Sequence, residues 1–197
     1  MPEARRDRVR VAVLISGTGS NMAALIDAAT QAEAPFEVVL VLSNRPDAGG
    51  LVTAEAKGVP VAVVDQTPFG KDRTAHEQAI HTVLEAYAVE MVALAGYMRL
   101  LTPFLVGRWA GRILNIHPSL LPKYPGLDTH ARALAAGDAV AGCTVHRVTE
   151  GVDEGPVLGQ ATVPVMADDT PASLAQRVQA AEHDLYPRVL AEIYRRD

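Results

Sequence analysis

Apolar residues in this chain gather in short runs that alternate with longer amphipathic stretches. The short runs are rich in valine, leucine and isoleucine and end at glycine, proline or polar residues, which is typical of strands. Strands are predicted over Val11–Ser16, Glu37–Leu42, Pro60–Val64, Met91–Ala95, Arg112–His117, Cys143–Val148 and Val157–Val163. Helical patterns fill most of the intervals between these runs.

Helices are predicted near Asn21–Gln31, Gly50–Lys57, Lys71–Ala86, Thr102–Arg108, His130–Ala136 and Pro171–Tyr194. The last pattern is the clearest, because Thr170 is a suitable N-cap and Pro171 fits the first helical position. Its buried stripe is predicted to comprise Leu174, Val178, Ala181, Leu185 and Val189. Strands that alternate with helices predict an α/β fold, with a mostly parallel central sheet of about seven strands and helices on both faces.

Size, charge and cysteine content exclude several classes of protein. The 197 residues suffice for one domain, and the 49% hydrophobic and 21% charged residues are ordinary for a globular protein. A net charge of −5 argues against general nucleic-acid binding, and no apolar run is long enough to cross a membrane. The single cysteine, Cys143, excludes an internal disulfide and fits a reducing compartment, so we expect a cytoplasmic protein.

Asn115 and His117 form the strongest chemical signal in the chain. They stand two residues apart in a predicted strand, so their side chains project from the same face, and Pro118 ends the strand. Acyl transfer needs such a pair, a neutral donor for an oxyanion and a group that moves protons near neutral pH. A strand end whose polar residues cap the next loop is an equally good interpretation of these two residues alone.

The turn Gly17–Asn21 connects the first predicted strand to the first predicted helix. Glycines at such a turn let backbone N–H groups approach an anion at a helix N-terminus, which favours a monophosphate ligand. No lysine follows, so the turn is not a Walker loop. The second strand ends in Ser43–Arg45, without the acidic residue that holds the ribose of NAD, which disfavours a nicotinamide oxidoreductase. A tight turn without a ligand stays open as an alternative.

Three motifs, taken in order, resemble the folate-dependent formyltransferases: NIHPSLLPKYPG from Asn115, GCTVH from Gly142, and VDEGPV from Val152. The opening ISGTGSN is most similar to the phosphoribosylglycinamide formyltransferase branch, and the resemblance runs from about Val11 to Arg195. It implies a Rossmann-like formyltransferase fold. It also implies formyl transfer from 10-formyltetrahydrofolate, a co-substrate, to the amine of 5'-phosphoribosylglycinamide in purine biosynthesis.

The resemblance implies a role for each matching position. The catalytic residues are expected to be Asn115, His117 and Asp153, with Asp153 expected to keep His117 charged and oriented. The ribonucleotide is expected to bind Gly19, Ser20, Asn21 and Glu182. The folate is expected to bind Arg73, Met98, Arg99, Leu100, Leu101 and Asn115. His146 is expected near the site, and Leu121–Pro122 is expected to be a cis peptide.

Further expectations concern domain organisation, metals and partners. We expect a single domain over residues 1–197, with a ribonucleotide-binding half over 1–100 and a folate-binding and catalytic half over 101–197. No metal is expected, because the six histidines lack a metal-ligand spacing with carboxylates or thiols. The partners are expected to be small-molecule substrates, with no nucleic acid or membrane, and the protein to be a monomer or homodimer.

Several alternatives remain open at this point. Methionyl-tRNA formyltransferase carries a further C-terminal RNA-binding domain, for which the chain leaves no room, and formyltetrahydrofolate hydrolase carries an additional N-terminal domain. The hydrolase uses the same Asn, His and Asp with water as acceptor. A non-catalytic nucleotide-binding module is expected to lose some of Asn115, His117 and Asp153, which are all present. The family also continues past the last helix with a short β-rich tail, whereas this chain stops at Asp197.

Overall fold

The computed structural model describes residues 8–195, and one sheet runs through them. Its seven strands lie in the order β3-β2-β1-β4-β5-β6-β7. The strands are β1 (Val9–Ile15), β2 (Phe36–Ser43), β3 (Val61–Val63), β4 (Met91–Leu94), β5 (Ile113–His117), β6 (Val140–Arg147) and β7 (Val157–Pro164). All seven predicted strands are present, and most of their ends differ from the prediction by one to three residues.

Strand directions place the ends of three strands together at one edge of the sheet. β1 is parallel to β2 and β4, and β4 is parallel to β5, whereas β6 runs antiparallel to both β5 and β7. The predicted mostly parallel sheet is therefore confirmed. Because β1, β4 and β5 run in the same direction, their carboxyl ends share one edge, which is where ligands bind in open α/β sheets.

Helices cover the sheet as predicted. They are α1 (Ser20–Ala29), α2 (Gly49–Ala56), α3 (Arg73–Ala86), α4 (Pro103–Arg108), α5 (Thr129–Ala135) and α6 (Pro171–Tyr194). A short 3₁₀ helix over Thr67–Phe69 was not predicted. Helix α3 begins at Arg73, two residues later than predicted, because the Asp72 side chain accepts a hydrogen bond from the Ala75 N–H and so caps the helix there.

The two faces of the sheet carry separate apolar cores. Val11, Val13 and Ile15 of β1 pack with residues of α1, α2 and α6, whereas Ala12 and Leu14 pack with residues of α3 and α4. The alternation follows from the two-residue period of a strand, since successive side chains point to opposite faces. Helices on both faces are thus confirmed.

Helix α6 fixes the second half of the sheet. Thr170 caps it by accepting from the Ser173 N–H, and the predicted stripe is buried apart from the partly buried Ala181. Tyr186 is fully buried, and its hydroxyl lies 3.1 and 3.2 Å from the carbonyl oxygens of Leu94 in β4 and Leu114 in β5. The helix is therefore held against β4 and β5, and β5 carries Asn115 and His117.

Two further observations bear on the sequence predictions. The Leu121–Pro122 peptide is cis, as predicted. Among residues 8–195, no helix combines the length and the apolar character that crossing a membrane requires.

Candidate active site

Asn115 and His117 stand at the carboxyl end of β5. In the antiparallel ladder with β6, Asn115 lies opposite His146 and His117 lies opposite Thr144. His117 is only 6% exposed, so its ring is held by protein groups rather than by bulk water. Asn115 and His117 therefore lie on the same face of β5, as predicted, and this face borders a partly enclosed polar site.

Asp153 reaches this site from the connection between β6 and β7. It adopts a left-handed backbone conformation, with φ of 54°, and its Oδ2 accepts a hydrogen bond of 2.9 Å from the Gly126 N–H. The same Oδ2 lies 3.4 Å from Nδ1 of His117. A loop aspartate is usually a turn former, but this one is brought to the histidine to which the resemblance assigns it.

Both ring nitrogens of His117 face oxygen atoms of the protein. Its Nε2 lies 2.9 Å from the carbonyl oxygen of Tyr124, while its Nδ1 faces the Asp153 carboxylate. A carbonyl and an ionised carboxylate can only accept hydrogen bonds, so each ring nitrogen of His117 faces an acceptor.

Electrostatics at Asp153 agree with an ionised carboxylate. Burial raises the pKa of Asp153, but hydrogen bonds from His146 and the Gly126 N–H, with the positive charges of His117 and His146, outweigh burial. The pKa of Asp153 consequently lies below its ordinary value.

His146 contacts both Asp153 and Asn115, whereas the sequence predicted only that it lies near the site. Its Nε2 lies 3.5 Å from Oδ1 of Asp153 and 3.3 Å from Nδ2 of Asn115, and its Nδ1 lies 3.0 Å from the carbonyl oxygen of Arg147. One carboxylate thus faces two imidazoles, and the second imidazole contacts the Asn115 amide. The motif GCTVH contains His146, but only the register between β5 and β6 reveals its partners.

The turn after β1 requires glycine at position 19. Gly19 has φ of 70° and is the N-cap of α1. A Cβ there would lie 2.7 Å from Cε of Met22 and 3.3 Å from Cα of Gly50, so a side chain would be both strained and crowded. The Gly50 N–H donates to the carbonyl of Gly17 over 2.9 Å and holds this turn against the start of α2.

The structure brings Asn21 and Glu182, both expected to bind the ribonucleotide, into direct contact. Nδ2 of Asn21 donates a 2.8 Å hydrogen bond to Oε2 of Glu182, which is 7% exposed rather than solvated. Burial raises the pKa of Glu182, although the hydrogen bond from Asn21 opposes this. Oδ1 of Asn21 is buried without a hydrogen-bond partner among residues 8–195. Next to this pair, Gln179 donates to Oγ of Ser20 over 2.9 Å.

Four of the predicted folate residues, Met98–Leu101, form the segment that follows β4. Met98 is 73% exposed and Leu100 is 60% exposed, whereas Leu101 packs partly against the core. Nη1 of Arg73 donates to the carbonyl of Leu100 over 3.3 Å. A cavity of about 580 Å³ beside this segment is lined by Gln66, Thr67, Gly70, Lys71, Arg73 and Arg99. Arg73 and Arg99 therefore share one basic cleft.

No group of three or more His, Cys, Asp or Glu side chains within residues 8–195 is arranged to hold a metal ion. Cys143 is buried in β6, and burial raises the pKa of its thiol to about 12, which keeps it protonated. The metal-free site stays a prediction.

Residues 9–190 match the protein family described as formyl transferase. The chain therefore belongs to the formyl transferase family, as its motifs predicted. Its fold agrees, since the crystal structure of phosphoribosylglycinamide formyltransferase from Brucella melitensis matches with a TM-score of 0.91. That match has 52% identity and covers 96% of this chain and 97% of that one.

Two relatives of known name share almost half of their aligned residues with this chain. The phosphoribosylglycinamide formyltransferase of Escherichia coli (strain K12) is 45% identical over 183 residues, covering 93% of this chain and 86% of that protein. The trifunctional purine biosynthetic protein adenosine-3 of Drosophila melanogaster is 49% identical over 186 residues. That match covers 93% of this chain but only 14% of the relative, so the chain spans a small part of that longer protein.

Proposed function

We propose that this protein transfers the formyl group of 10-formyltetrahydrofolate to the amine of 5'-phosphoribosylglycinamide, giving formylglycinamide ribonucleotide and tetrahydrofolate. The relatives from Escherichia coli and Brucella melitensis carry the name of this activity and match nearly the whole chain. The observation that carries the proposal is the cluster of Asn115, His117 and Asp153. It lies at the same edge of the sheet as the turn after β1.

The ribonucleotide is proposed to bind at that turn. Backbone N–H groups at Gly19, Ser20 and Asn21 stand at the N-terminus of α1, where a phosphate is favoured. The carboxylate of Glu182 can accept hydrogen bonds from ribose hydroxyls, and the 2.8 Å hydrogen bond from Asn21 orients it. Glu182 comes from the second half of the chain, so the ribonucleotide site draws on both halves. The division at residue 100 stays a prediction.

The folate is proposed to bind along Met98–Leu101. The exposed side chains of Met98 and Leu100 offer an apolar surface to the pterin, while the basic cleft with Arg73 and Arg99 suits carboxylates at the other end of the molecule. Asn115 at the end of β5 then stands near the formyl group. An apolar surface that leads into a cationic cleft matches the chemistry of a folate.

In the proposed reaction the ribonucleotide amine attacks the formyl carbon and forms a C–N bond and a tetrahedral oxyanion. The Nδ2 group of Asn115, at the end of β5, is a hydrogen-bond donor and can donate to the oxyanion. The imidazolium of His117 stabilises the same charge, with Asp153 as its counter-ion. Nε2 of His117 lies 2.9 Å from the carbonyl oxygen of Tyr124, so a direct bond from Nε2 to the oxyanion requires that this contact be exchanged.

Collapse of the intermediate breaks the bond between the formyl carbon and the folate nitrogen. The amine loses one proton and the folate nitrogen gains one, so the step is balanced without an external acid. His117 can carry this proton, directly or through a water, because its imidazolium gives a proton to the leaving nitrogen and recovers one from the attacking amine.

The test is an absorbance assay of tetrahydrofolate formation from 10-formyltetrahydrofolate, with and without the ribonucleotide, in buffer with and without a chelator. We expect turnover only with the ribonucleotide and no effect of the chelator. Equal turnover in both reactions identifies a hydrolase instead. The control is Glu154→Gln, an exposed substitution in the same turn as Asp153, which should leave the rate unchanged.

A further inference from the structure

Four hydrogen bonds and the peptide link between Met98 and Arg99 form a closed ring. The ring joins the end of β1, the end of β2 and the segment Met98–Leu101, to which the folate is predicted to bind. The Met98 N–H donates to Oγ of Ser16 over 2.8 Å, and Oγ of Ser16 donates to Oδ1 of Asn44 over 2.6 Å. Nδ2 of Asn44 donates to Oε1 of Gln66 over 2.8 Å. The guanidinium of Arg99 donates to the same Oε1 over 3.0 Å. The ring closes because Arg99 follows Met98 in the chain.

The charge of Arg99 fixes the direction of every bond in the ring. A guanidinium can only donate, so Gln66 must present its carbonyl oxygen, and Asn44 must then present its amide nitrogen to Gln66. The Asn44 oxygen consequently faces Ser16, whose hydroxyl donates to it and remains free to accept from the Met98 N–H. No other assignment of the two amides satisfies all four bonds.

The members of the ring differ in burial: Ser16 and Asn44 are buried, whereas Gln66 and Arg99 line the basic cleft. Ser16 is 6% exposed and Asn44 is 2% exposed, and the Gln66 N–H also donates to the carbonyl of Asn44 over 3.1 Å. Gln66 is only partly buried and lines the basic cleft with Arg99. Arg99 has one other acceptor in the described residues, the carbonyl of Gly70, at the longer distance of 3.3 Å.

We infer that Gln66 is a positioning residue for the folate, acting through Arg99. The Oε1 atom of Gln66 accepts from the Arg99 guanidinium and so fixes its position in the basic cleft. Hydrogen bonds through Asn44 connect Gln66 to Ser16, which lies at the end of β1 just before the turn at Gly17. This inference rests on the proposed function, because the folate is the ligand whose binding it concerns. Neither the motifs nor the resemblance assigned a role to Gln66 or Asn44.

The first test replaces Gln66 by two residues of similar size. Gln66→Met removes the acceptor, and Gln66→Glu keeps an oxygen for both Arg99 and Asn44. We expect the Met variant to raise KM for 10-formyltetrahydrofolate by about 5- to 20-fold, the effect of one lost hydrogen bond to a charged group. KM for the ribonucleotide and kcat should stay within about twofold, and the Glu variant should raise the folate KM by less than about threefold.

The second test is a double-mutant cycle with Arg99→Met. If Gln66 acts through Arg99, the double variant should bind the folate no more weakly than Arg99→Met alone. Additive losses overturn the inference, as do an unchanged folate KM in the Met variant, equal losses in the Met and Glu variants, or equal rises of both KM values. Thermal unfolding of each variant checks that it is folded. Failure of the unmodified protein to transfer formyl groups overturns the proposed function instead, so the two failures are distinguishable.

Discussion

The carboxylate of Asp153 faces His117 with one oxygen, at 3.4 Å from Nδ1, while its other oxygen lies 3.5 Å from His146. A residue in an irregular turn thereby links two strands of the sheet, since His117 ends β5 and His146 belongs to β6. Asp153 also accepts a hydrogen bond from the Gly126 N–H, which lies in the segment between β5 and α5. The position of this carboxylate underlies the first two predictions.

Asp153→Asn keeps the shape of the side chain and removes its charge. We expect kcat to fall by about two to four powers of ten, because both the orientation and the charge of His117 depend on this carboxylate. KM for the ribonucleotide should change little. Steady-state kinetics beside the Glu154→Gln control decide the matter, and a near-normal kcat in the Asn variant would mean that Asp153 is only a turn residue.

His146→Gln tests the second imidazole. Glutamine removes the imidazole beside Asp153 and loosens the contact that orients the Asn115 amide. We expect kcat to fall by about tenfold, the effect of one hydrogen bond to a charged group, and thus by much less than in Asp153→Asn. Equal losses in the two variants would contradict a supporting role for His146, as would no loss at all.

Gly19→Val tests the turn after β1. The side chain would adopt an unfavourable left-handed conformation and meet Met22 and Gly50, so the turn must shift. We expect ribonucleotide affinity to fall by at least about tenfold with folate affinity nearly unchanged, as measured by calorimetry for each ligand. Gly17→Ala is the matched control, because a Cβ at Gly17 meets no atom within 4 Å. Equal losses for both ligands would indicate misfolding rather than a local effect.

Glu182→Gln separates binding from stability. Its carboxylate is proposed to hold ribose hydroxyls, so we expect the ribonucleotide KM to rise by about tenfold with the folate KM unchanged. Because burial raises the folded pKa of Glu182, its contribution to stability is fully present below the unfolded pKa and is lost as pH rises through the folded pKa. Chemical unfolding at pH 5 and pH 8 should therefore show the Gln variant gaining stability relative to the unmodified protein as pH rises. A relative gain at the lower pH would contradict the raised pKa.

Asp169→Asn tests a structural ion pair outside the candidate site. The Arg177 side chain, the Met166 N–H and the Ser173 hydroxyl hold the pKa of Asp169 well below its ordinary value. A lowered folded pKa means that the stabilisation is present above the unfolded pKa and is lost as pH falls through the folded pKa. Chemical unfolding should show the Asn variant less stable at pH 7, with the difference shrinking below pH 4, and unchanged catalysis. A difference that grows in acid would contradict this assignment.

Much of the candidate site could be predicted because it depends on local patterns. The shared face of Asn115 and His117 follows from the two-residue period of a strand, and Gly19 from a glycine turn between a strand and a helix that lets the backbone approach an anion. Asp153 could be named from the family motif, but its contact with His117 could not be derived from the sequence. The register between β5 and β6 that places His146 beside Asn115 is likewise a long-range property.

The sequence by itself determined the order of strands and helices and the family motifs, because apolar periodicity and turn residues act over a few positions of the chain. Tertiary structure alone decided which distant polar groups meet. Glu182, for which a solvated helix position was the ordinary expectation, is buried against Asn21 because α6 packs across the sheet. The ring through Ser16, Asn44, Gln66 and Arg99 also exists only in the fold, since hydrogen bonds require separations near 3 Å, which chain order does not specify.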